Sequence, residues 1–336
     1  MTEFTFTSSN GKSTIYARKF LPEGTPRGIV QIAHGIAEHI GRYEEFMKFL
    51  AGKGFVAAAN DHIGHGQSVA SDEELGLFDE KDGWDKAVED MDKLHDIMRE
   101  EFPDIPYIFF GHSMGSYLLR TYLIRHPEKA DLAILSGTGG QLSPVVAAGL
   151  GVAETTVRVY GARKISKLLL TLSFGSYNNG YDEPRTEFDW LSSVPEVPDA
   201  YIADPKCGFP PTAGLFRDLF YGIMYDSDKD NLVKMNKDTP VLMISGWKDP
   251  VGENGKGVKR VFRMFCEAGM KHVHLKLYPN CRHELLNETN KHEVMDDIAA
   301  WIDKSLLVVE KTKKKAAESG LIEEIAEPAP EAAENG

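Results

Sequence analysis

The pentapeptide Gly111-His112-Ser113-Met114-Gly115 constrains this chain more than any other feature of its sequence. It follows an apolar run at 107–110 and precedes a helical stretch at 116–125. A G-x-S-x-G sequence between strand and helix predicts a sharp turn that lifts the serine out of a sheet edge. Glycines on either side let strand and helix approach closely, and the helix that follows aims its N-terminal N–H groups at the turn. A glycine-rich turn with an incidental serine is the competing reading. The strand before and the helix after favour a nucleophile.

Around this turn, β-rich apolar runs alternate with helical patterns, which predicts an α/β fold with a mostly parallel sheet of about eight strands flanked by helices. The runs at 3–8 and 13–20 are joined by Asn10-Gly11, a hairpin signal, so the sheet is expected to begin antiparallel. Those at 28–33, 55–60, 107–110, 132–136, 241–245 and 273–278 are nearly continuous in apolar residues, as in strands covered on both faces. Between them, 84–102 puts Trp84, Val88, Met91, Leu94 and Met98 on one helix face, and 258–268 and 293–306 behave alike.

One interval breaks the alternation. From the strand ending near 136 to the one starting near 241, roughly a hundred residues hold no sheet-like run, too many for a structureless loop in a compact domain. Residues 144–173 read as amphipathic or apolar helix, 175–211 are rich in Gly, Pro, Asn, Asp and aromatics, and 213–225 return the chain to the core. The expected organisation is a core over 1–137, a helical cap over 138–215, more core over 216–309, and a frayed or disordered tail over 310–336. That tail is dominated by Lys, Glu, Ala and Pro and buries too little apolar surface to offset its ordering entropy.

A serine nucleophile on this frame is followed in chain order by an acid and then a histidine. The run at 241–245 leads into Gly246-Trp247-Lys248-Asp249-Pro250, which sets Asp249 beyond a strand's C-terminal end, where catalytic groups of open α/β sheets gather. An Asp-Pro turn is the alternative, and the topology reverses that preference. Of the four later histidines, His272 and His274 flank a strand start and His292 sits at a helix opening. His283 lies in a loop between the last strand and the last helix and is expected to be the base. Ser113, Asp249 and His283 then predict acyl transfer with neither a metal nor an organic cofactor.

A tetrahedral intermediate also needs hydrogen-bond donors for its oxygen. The N–H of Met114 is one candidate, and Ile36, in His34-Gly35-Ile36-Ala37-Glu38-His39 after the third strand, is the other. His34 precedes the serine and is expected to order this loop rather than act as base. Asp61, His62 and His65 resemble a ligand set, but no further acid or cysteine completes it, and a hydrogen-bonded turn is the preferred reading.

Composition narrows the partners. A net charge of −13, with basic residues scattered apart from Lys313, Lys314 and Lys315, argues against a nucleic-acid partner. Cys207, Cys266 and Cys281 make no closed disulfide framework. No run reaches the length of a membrane span, and the start has no basic-then-apolar secretory pattern, so a cytoplasmic, reducing location is expected.

HGIAEHIGRY (34–43), DHIGHGQS (61–68), GHSMGS (111–116), SGTGG (136–140) and RHELLNE (282–288) together resemble the monoacylglycerol lipase and lysophospholipase branch of the α/β-hydrolases. TEFDWLS (186–192) and DPKCGF (204–209) extend the likeness into the cap interval, and it spans about 2–306. The resemblance implies a helical cap over an apolar acyl passage and cleavage of an ester of one fatty chain. It matches Ser113, Asp249, His283, Met114 and Ile36 to the family's triad and oxyanion loop. Two departures stand out: Ile36 is bulkier than the residue often found there, and Cys281 lies two before the histidine.

The implied substrate is a small amphiphilic ester, a monoacylglycerol or lysophospholipid. Val145, Val146, Leu150, Val152, Leu168, Leu169, Leu170 and Leu172 give the cap an apolar surplus. These residues either form an acyl tunnel with transient membrane or micelle contact, or simply pack the cap onto the core. From the residues alone, the reading stops at a carboxylic ester or similar acyl compound. A soluble carboxylesterase or amide hydrolase for small non-lipid substrates is the alternative, and a non-catalytic binding protein on the same fold is a third.

Overall fold

The structure, a computed structural model, describes residues 1–141 and 143–326. Among these, eight strands form one sheet in the order β1-β2-β4-β3-β5-β6-β7-β8. They are β1 (Thr2–Thr7), β2 (Thr14–Phe20), β3 (Ile29–Ala33), β4 (Val56–Asn60), β5 (Tyr107–His112), β6 (Leu132–Ser136), β7 (Val241–Gly246) and β8 (Val273–Tyr278). β1 and β2 form the antiparallel hairpin expected from Asn10-Gly11, β2 also runs antiparallel to β4, and β3 to β8 are parallel.

Helices α1 (Glu44–Gly52), α2 (Gly83–Glu101), α3 (Met114–Arg125), α4 (Ser143–Tyr160), α5 (Lys167–Phe174), α6 (Glu196–Ala203), α7 (Ala213–Tyr225), α8 (Lys229–Leu232), α9 (Lys256–Glu267) and α10 (Lys291–Ala326) complete the chain. Strand residues alternate between two apolar layers, following the period of two along a strand. Tyr107 and Phe109 of β5 join one layer with Trp84, Val88, Met91, Leu94 and Met98 of α2 and with Val258, Val261 and Phe265 of α9. Ile108 and Phe110 join the other with Phe46, Met47 and Leu50 of α1 and with Val294, Ile298 and Ile302 of α10. Every residue of β3 to β7 is buried, which is why these strands lack a polar face.

Two boundaries differ from the sequence reading. The single helical stretch expected over 144–173 is two helices, α4 and α5, broken at Gly161, whose φ of 86° is the left-handed geometry that ends a helix. The link after it pairs with the start of α7, through Ala213 N–H to Lys164 O at 2.8 Å and Gly214 N–H to Ala162 O at 2.8 Å. The last helix, expected to stop near 306, runs to Ala326, since Lys, Ala and Glu are strong helix formers whether or not they are buried. The frayed helix expected at the start of the 310–336 tail is helical as far as Ala326, and the disorder expected beyond it falls on 327–336, outside the described residues. Helix α1 carried no sequence expectation.

The interval between β6 and β7 holds α4 to α8. Arg120 of α3, fully buried, ties its two ends together by donating to Gly139 O and to Asp226 O, each at 3.0 Å. Parallel strands point their C-terminal ends to one edge, so the loops after β3, β4, β5, β6, β7 and β8 converge there beneath this interval.

Candidate active site

Ser113 sits where β5 turns into α3, with φ 51° and ψ −121°, a left-handed conformation costly for a residue with a Cβ. A serine at a helix start usually caps the helix with its own oxygen; here the side chain makes no such bond and is left for chemistry. The two flanking glycines are demanded by space. A Cβ at Gly111 would stand 2.4 Å from Gly115 O, and one at Gly115 would stand 2.1 Å from Ala33 O. The Ser113 N–H donates to Ser136 O at 2.9 Å, which fixes the turn against β6.

His283 and Asp249 come from loops 34 residues apart and meet at 2.9 Å between Nδ1 and Oδ1, both fully buried. The remaining acceptor capacity of Asp249 is satisfied: Val251 N–H reaches Oδ1 at 2.9 Å and Ser245 Oγ reaches Oδ2 at 3.2 Å. Burial alone would raise the Asp249 pKa, but the charge and hydrogen bond of His283 outweigh it and hold the carboxyl below its ordinary value. Burial pulls His283 down; Asp249 more than compensates and leaves it above the usual imidazole value. His283 Nε2 is buried and has no hydrogen-bond partner among the described residues. It lines the same cavity as Ser113 without a hydrogen bond to it, and such contacts often tighten only when substrate is bound.

The neighbouring histidines are driven the other way. Burial, with the nearby His283, pushes His112 down to about 4, and burial pushes His62 down to about 3 and His65 to about 4. His34 is lowered too, by burial and by the adjoining imidazoles. All four are neutral near pH 7, so His283 alone in this group has surroundings that stabilise an imidazolium. His34 accepts the His62 N–H through Nε2 at 2.9 Å, while His62 Nε2 reaches back to His34 O at 3.2 Å. These rings order the loop after β3, the part expected for His34. Asp61 accepts the Ile40 and Gln67 N–H groups at 2.8 and 2.7 Å, the hydrogen-bonded turn anticipated for that stretch.

Of the expected oxyanion donors, Met114 follows Ser113 in the chain and Ile36 lines the same cavity as Ser113. Met114 is the first residue of α3, so its N–H has no intrahelical acceptor. A Cβ at Gly35 would come within 3.1 Å of Ser113 Cβ, which places the loop directly against the serine. Gly35 N–H is consumed by Glu38 Oε1, whereas Ile36 N–H has no acceptor among the described residues.

Sequence reasoning missed a buried charge network beside the triad. Arg42 binds Glu284 through two bonds, at 2.6 and 2.7 Å, and Glu38 through a third at 2.7 Å. Burial would raise Glu284, but the Arg42 guanidinium outweighs it and holds the carboxyl below the usual range. The network joins the loop after β3 to the residue next to His283. Its members lay inside the quoted HGIAEHIGRY and RHELLNE phrases, and charges within such loops were the available signal. Trp190 was also missed: its ring lies 5.1 Å from that of His283, and Leu191 O accepts the Glu284 N–H at 2.7 Å.

Ser113, His283, Ile36, Glu38, Glu284 and His112 form the floor of a cavity of about 490 Å³. Its other wall comes from the interval between β6 and β7, including Leu170, Phe174, Phe188, Trp190, Phe209 and Pro210. The cavity is polar at the serine and largely apolar above it. Of the apolar surplus noted in the sequence, Leu170 lines the cavity, Val146 and Leu169 are buried, and Val145, Leu168 and Leu172 are exposed. His39, Asp204 and Cys207 approach within 4.8 Å of one another, but His39 Nε2 is bonded to Asp204 and burial holds the Cys207 thiol protonated, which suits a hydrogen-bonded link better than a metal site.

A mostly parallel eight-stranded sheet with a strained serine at the C-terminal end of its fifth strand defines an α/β-hydrolase. The Hydrolase_4 family model, described as "Serine aminopeptidase, S33", matches residues 24–290. A monoacylglycerol lipase of Mycolicibacterium smegmatis is 33% identical over 305 residues, covering 89% of this chain and 96% of that protein. The solved structure of a thermostable carboxyl esterase from Bacillus coagulans superposes with a TM-score of 0.85 at 32% identity, covering 90% of this chain and 98% of that one. A lipase in its open form gives a TM-score of 0.83 at 27% identity, with 90% and 98% covered. The chain belongs to the Hydrolase_4 family of α/β-hydrolases, in its monoacylglycerol lipase-like branch.

Proposed function

We propose that this chain is a serine hydrolase that cleaves carboxylic esters of a single acyl chain, with monoacylglycerol as the leading substrate and lysophospholipid as a further one. Ser113 is the nucleophile, His283 the base and Asp249 the acid. His283 Nε2 takes the Ser113 Oγ proton as the oxygen attacks the ester carbonyl. The N–H groups of Met114 and Ile36 receive the developing oxyanion, and His283 then protonates the departing alcohol. Water, deprotonated by the same imidazole, releases the fatty acid from Ser113.

The observation that carries this reading is the two-toned cavity: a strained, uncapped serine beside the His283–Asp249 pair, with an apolar wall above it. That combination suits an amphiphile whose ester lies at the junction, and its volume falls within the roughly 300–1,000 Å³ range of small-molecule sites. The likeness to the M. smegmatis monoacylglycerol lipase supports the choice of ester.

In this proposal residues 138–215 are a cap on a core made of 1–137 and 216–309. Exposed Val145, Val159, Tyr160, Leu168 and Leu172 give the cap an apolar outer surface suited to transient membrane or micelle contact. No helix among the described residues is long and apolar enough to cross a membrane. Free thiols at Cys207, Cys266 and Cys281 fit a cytoplasmic location.

A second reading, hydrolysis of small non-lipid esters or amides, is favoured by the likeness to the B. coagulans carboxyl esterase and by the family's description. Rates across a series of glycerol monoesters from short to long acyl chains separate the two. The lipid reading predicts kcat/KM rising into the long chains, and a sharp decline beyond short chains would overturn it. A non-catalytic role is tested by fluorophosphonate labelling, which predicts one covalent adduct, on Ser113.

A further inference from the structure

Ala37 follows the proposed oxyanion donor Ile36 and has a φ of 54°, in the left-handed region that disfavours any residue with a Cβ. Something outside the local chain must hold it there. Its carbonyl accepts two hydrogen bonds, one from the Tyr201 hydroxyl at 2.8 Å and one from the Gly208 N–H at 3.0 Å. Both donors belong to the interval between β6 and β7, Tyr201 on α6 and Gly208 just past it. Tyr201 is 6% exposed and Ala37 5%, so both bonds are shielded from bulk solvent although the residues line the cavity.

The same tyrosine ring covers the Arg42 guanidinium, 5.0 Å from its centroid, and Arg42 in turn binds Glu38. Glu38 Oε1 accepts the Gly35 N–H and the Tyr43 hydroxyl. Ile36 is therefore bracketed. Its preceding residue is held from the core side through Gly35 N–H, and its following residue from the cap side through Ala37 C=O.

We propose that Tyr201 is a positioning residue for the oxyanion hole: its hydroxyl, with the Gly208 N–H, holds Ala37 in the left-handed conformation and thereby aims the Ile36 N–H at the reacting carbonyl. The cap is then part of the catalytic apparatus, and separating it from the core releases the oxyanion loop. The inference rests on the proposed roles of Ser113 and Ile36.

Tyr201→Phe tests it, because this change keeps the ring over Arg42 and the cavity wall while removing one hydroxyl. With a glycerol monoester as substrate, kcat should fall roughly ten- to a hundredfold, the range expected for a misplaced catalytic group, with KM nearly unchanged. Affinity for an alkyl boronic acid, whose tetrahedral adduct on serine mimics the oxyanion, should fall by a similar factor. Adding Ala37→Gly should restore much of the loss, because glycine adopts a positive φ without the Cβ penalty. An unchanged kcat overturns the proposal. So does a loss confined to KM with boronate affinity intact, or a loss that Ala37→Gly leaves untouched. Ser113→Ala, assayed alongside, separates the two levels. If it is inactive while Tyr201→Phe matches wild type, the latch fails and the site reading stands; if it stays active, the site reading itself has failed.

Discussion

Within a group of buried histidines, the carboxylate of Asp249 is what distinguishes His283. The imidazoles of His34, His62, His65 and His112 lose their proton readily because burial is not offset by a bonded acid, and the same burial around His283 is outweighed. The base must be neutral to accept a proton, so kcat/KM should rise with pH through a His283 pKa lying above the ordinary imidazole value. Asp249→Asn removes the charge that raises it. The acid limb of the pH–rate profile should then move to lower pH, and kcat should drop by about 10⁴, the scale known for loss of a triad acid. A profile that keeps its acid limb in this variant would detach the pKa of His283 from Asp249. At the charge network, Arg42→Met leaves the buried carboxylates of Glu38 and Glu284 without their shared cation. A stability loss of about 3–5 kcal/mol in urea unfolding is expected, because breaking a buried pair leaves an uncompensated charge.

The strand–turn–helix unit of β5 and α3 has almost no slack. Gly115→Ala drives a methyl group into Ala33 O on β3, a backbone atom that cannot swing aside. It should cost about 1–3 kcal/mol or more as overpacking, read as a lower Tm, together with a loss of activity from the displaced serine. This unit was also the most legible in the sequence, because its requirements are local: a strand, two glycines and a helix within about twenty residues. The loop positions of Asp249 and His283 could be read from the strands preceding them. Tyr201 and Arg42 could not, because their meaning depends on pairings across 164 and 242 residues, to Ala37 and Glu284, that no periodicity reports. Helix boundaries were missed for two physical reasons. Gly161 adopts a left-handed conformation that a run of apolar residues masks, and the Lys-, Glu- and Ala-rich end of α10 is helical without the regular apolar spacing in sequence used to recognise the other helices.

At the scale of the whole molecule, the interval between β6 and β7 is fastened to the sheet at both its ends and its middle. Arg120, one and a half turns into α3, holds the departing and returning chain, and the Trp190–Leu191 and Tyr201–Gly208 segments hold the loops of His283 and Ile36. On the proposed reading, hydrolysis and the roof over it are mechanically linked. Arg120→Ala removes the end fastening and leaves the carbonyls of Gly139 and Asp226 without their buried donor, while the Asp226 carboxyl, already raised to about 7 by burial, takes up a proton. A loss of about 1–3 kcal/mol in urea unfolding is expected from the unpaired acceptors, and a variant as stable as wild type would show the fastening to be idle.

The central claim is that Ser113, activated by His283, cleaves an ester of one long acyl chain beneath this roof. Its most direct test is kcat/KM for a long-chain monoacylglycerol, compared between the wild type and Ser113→Ala. The expected result is efficient turnover by the wild type and a fall of roughly 10⁴ or more in the variant, the scale set by nucleophile removal in other triad enzymes. Comparable turnover by Ser113→Ala would contradict the claim, as would a wild type inert toward every long-chain monoester.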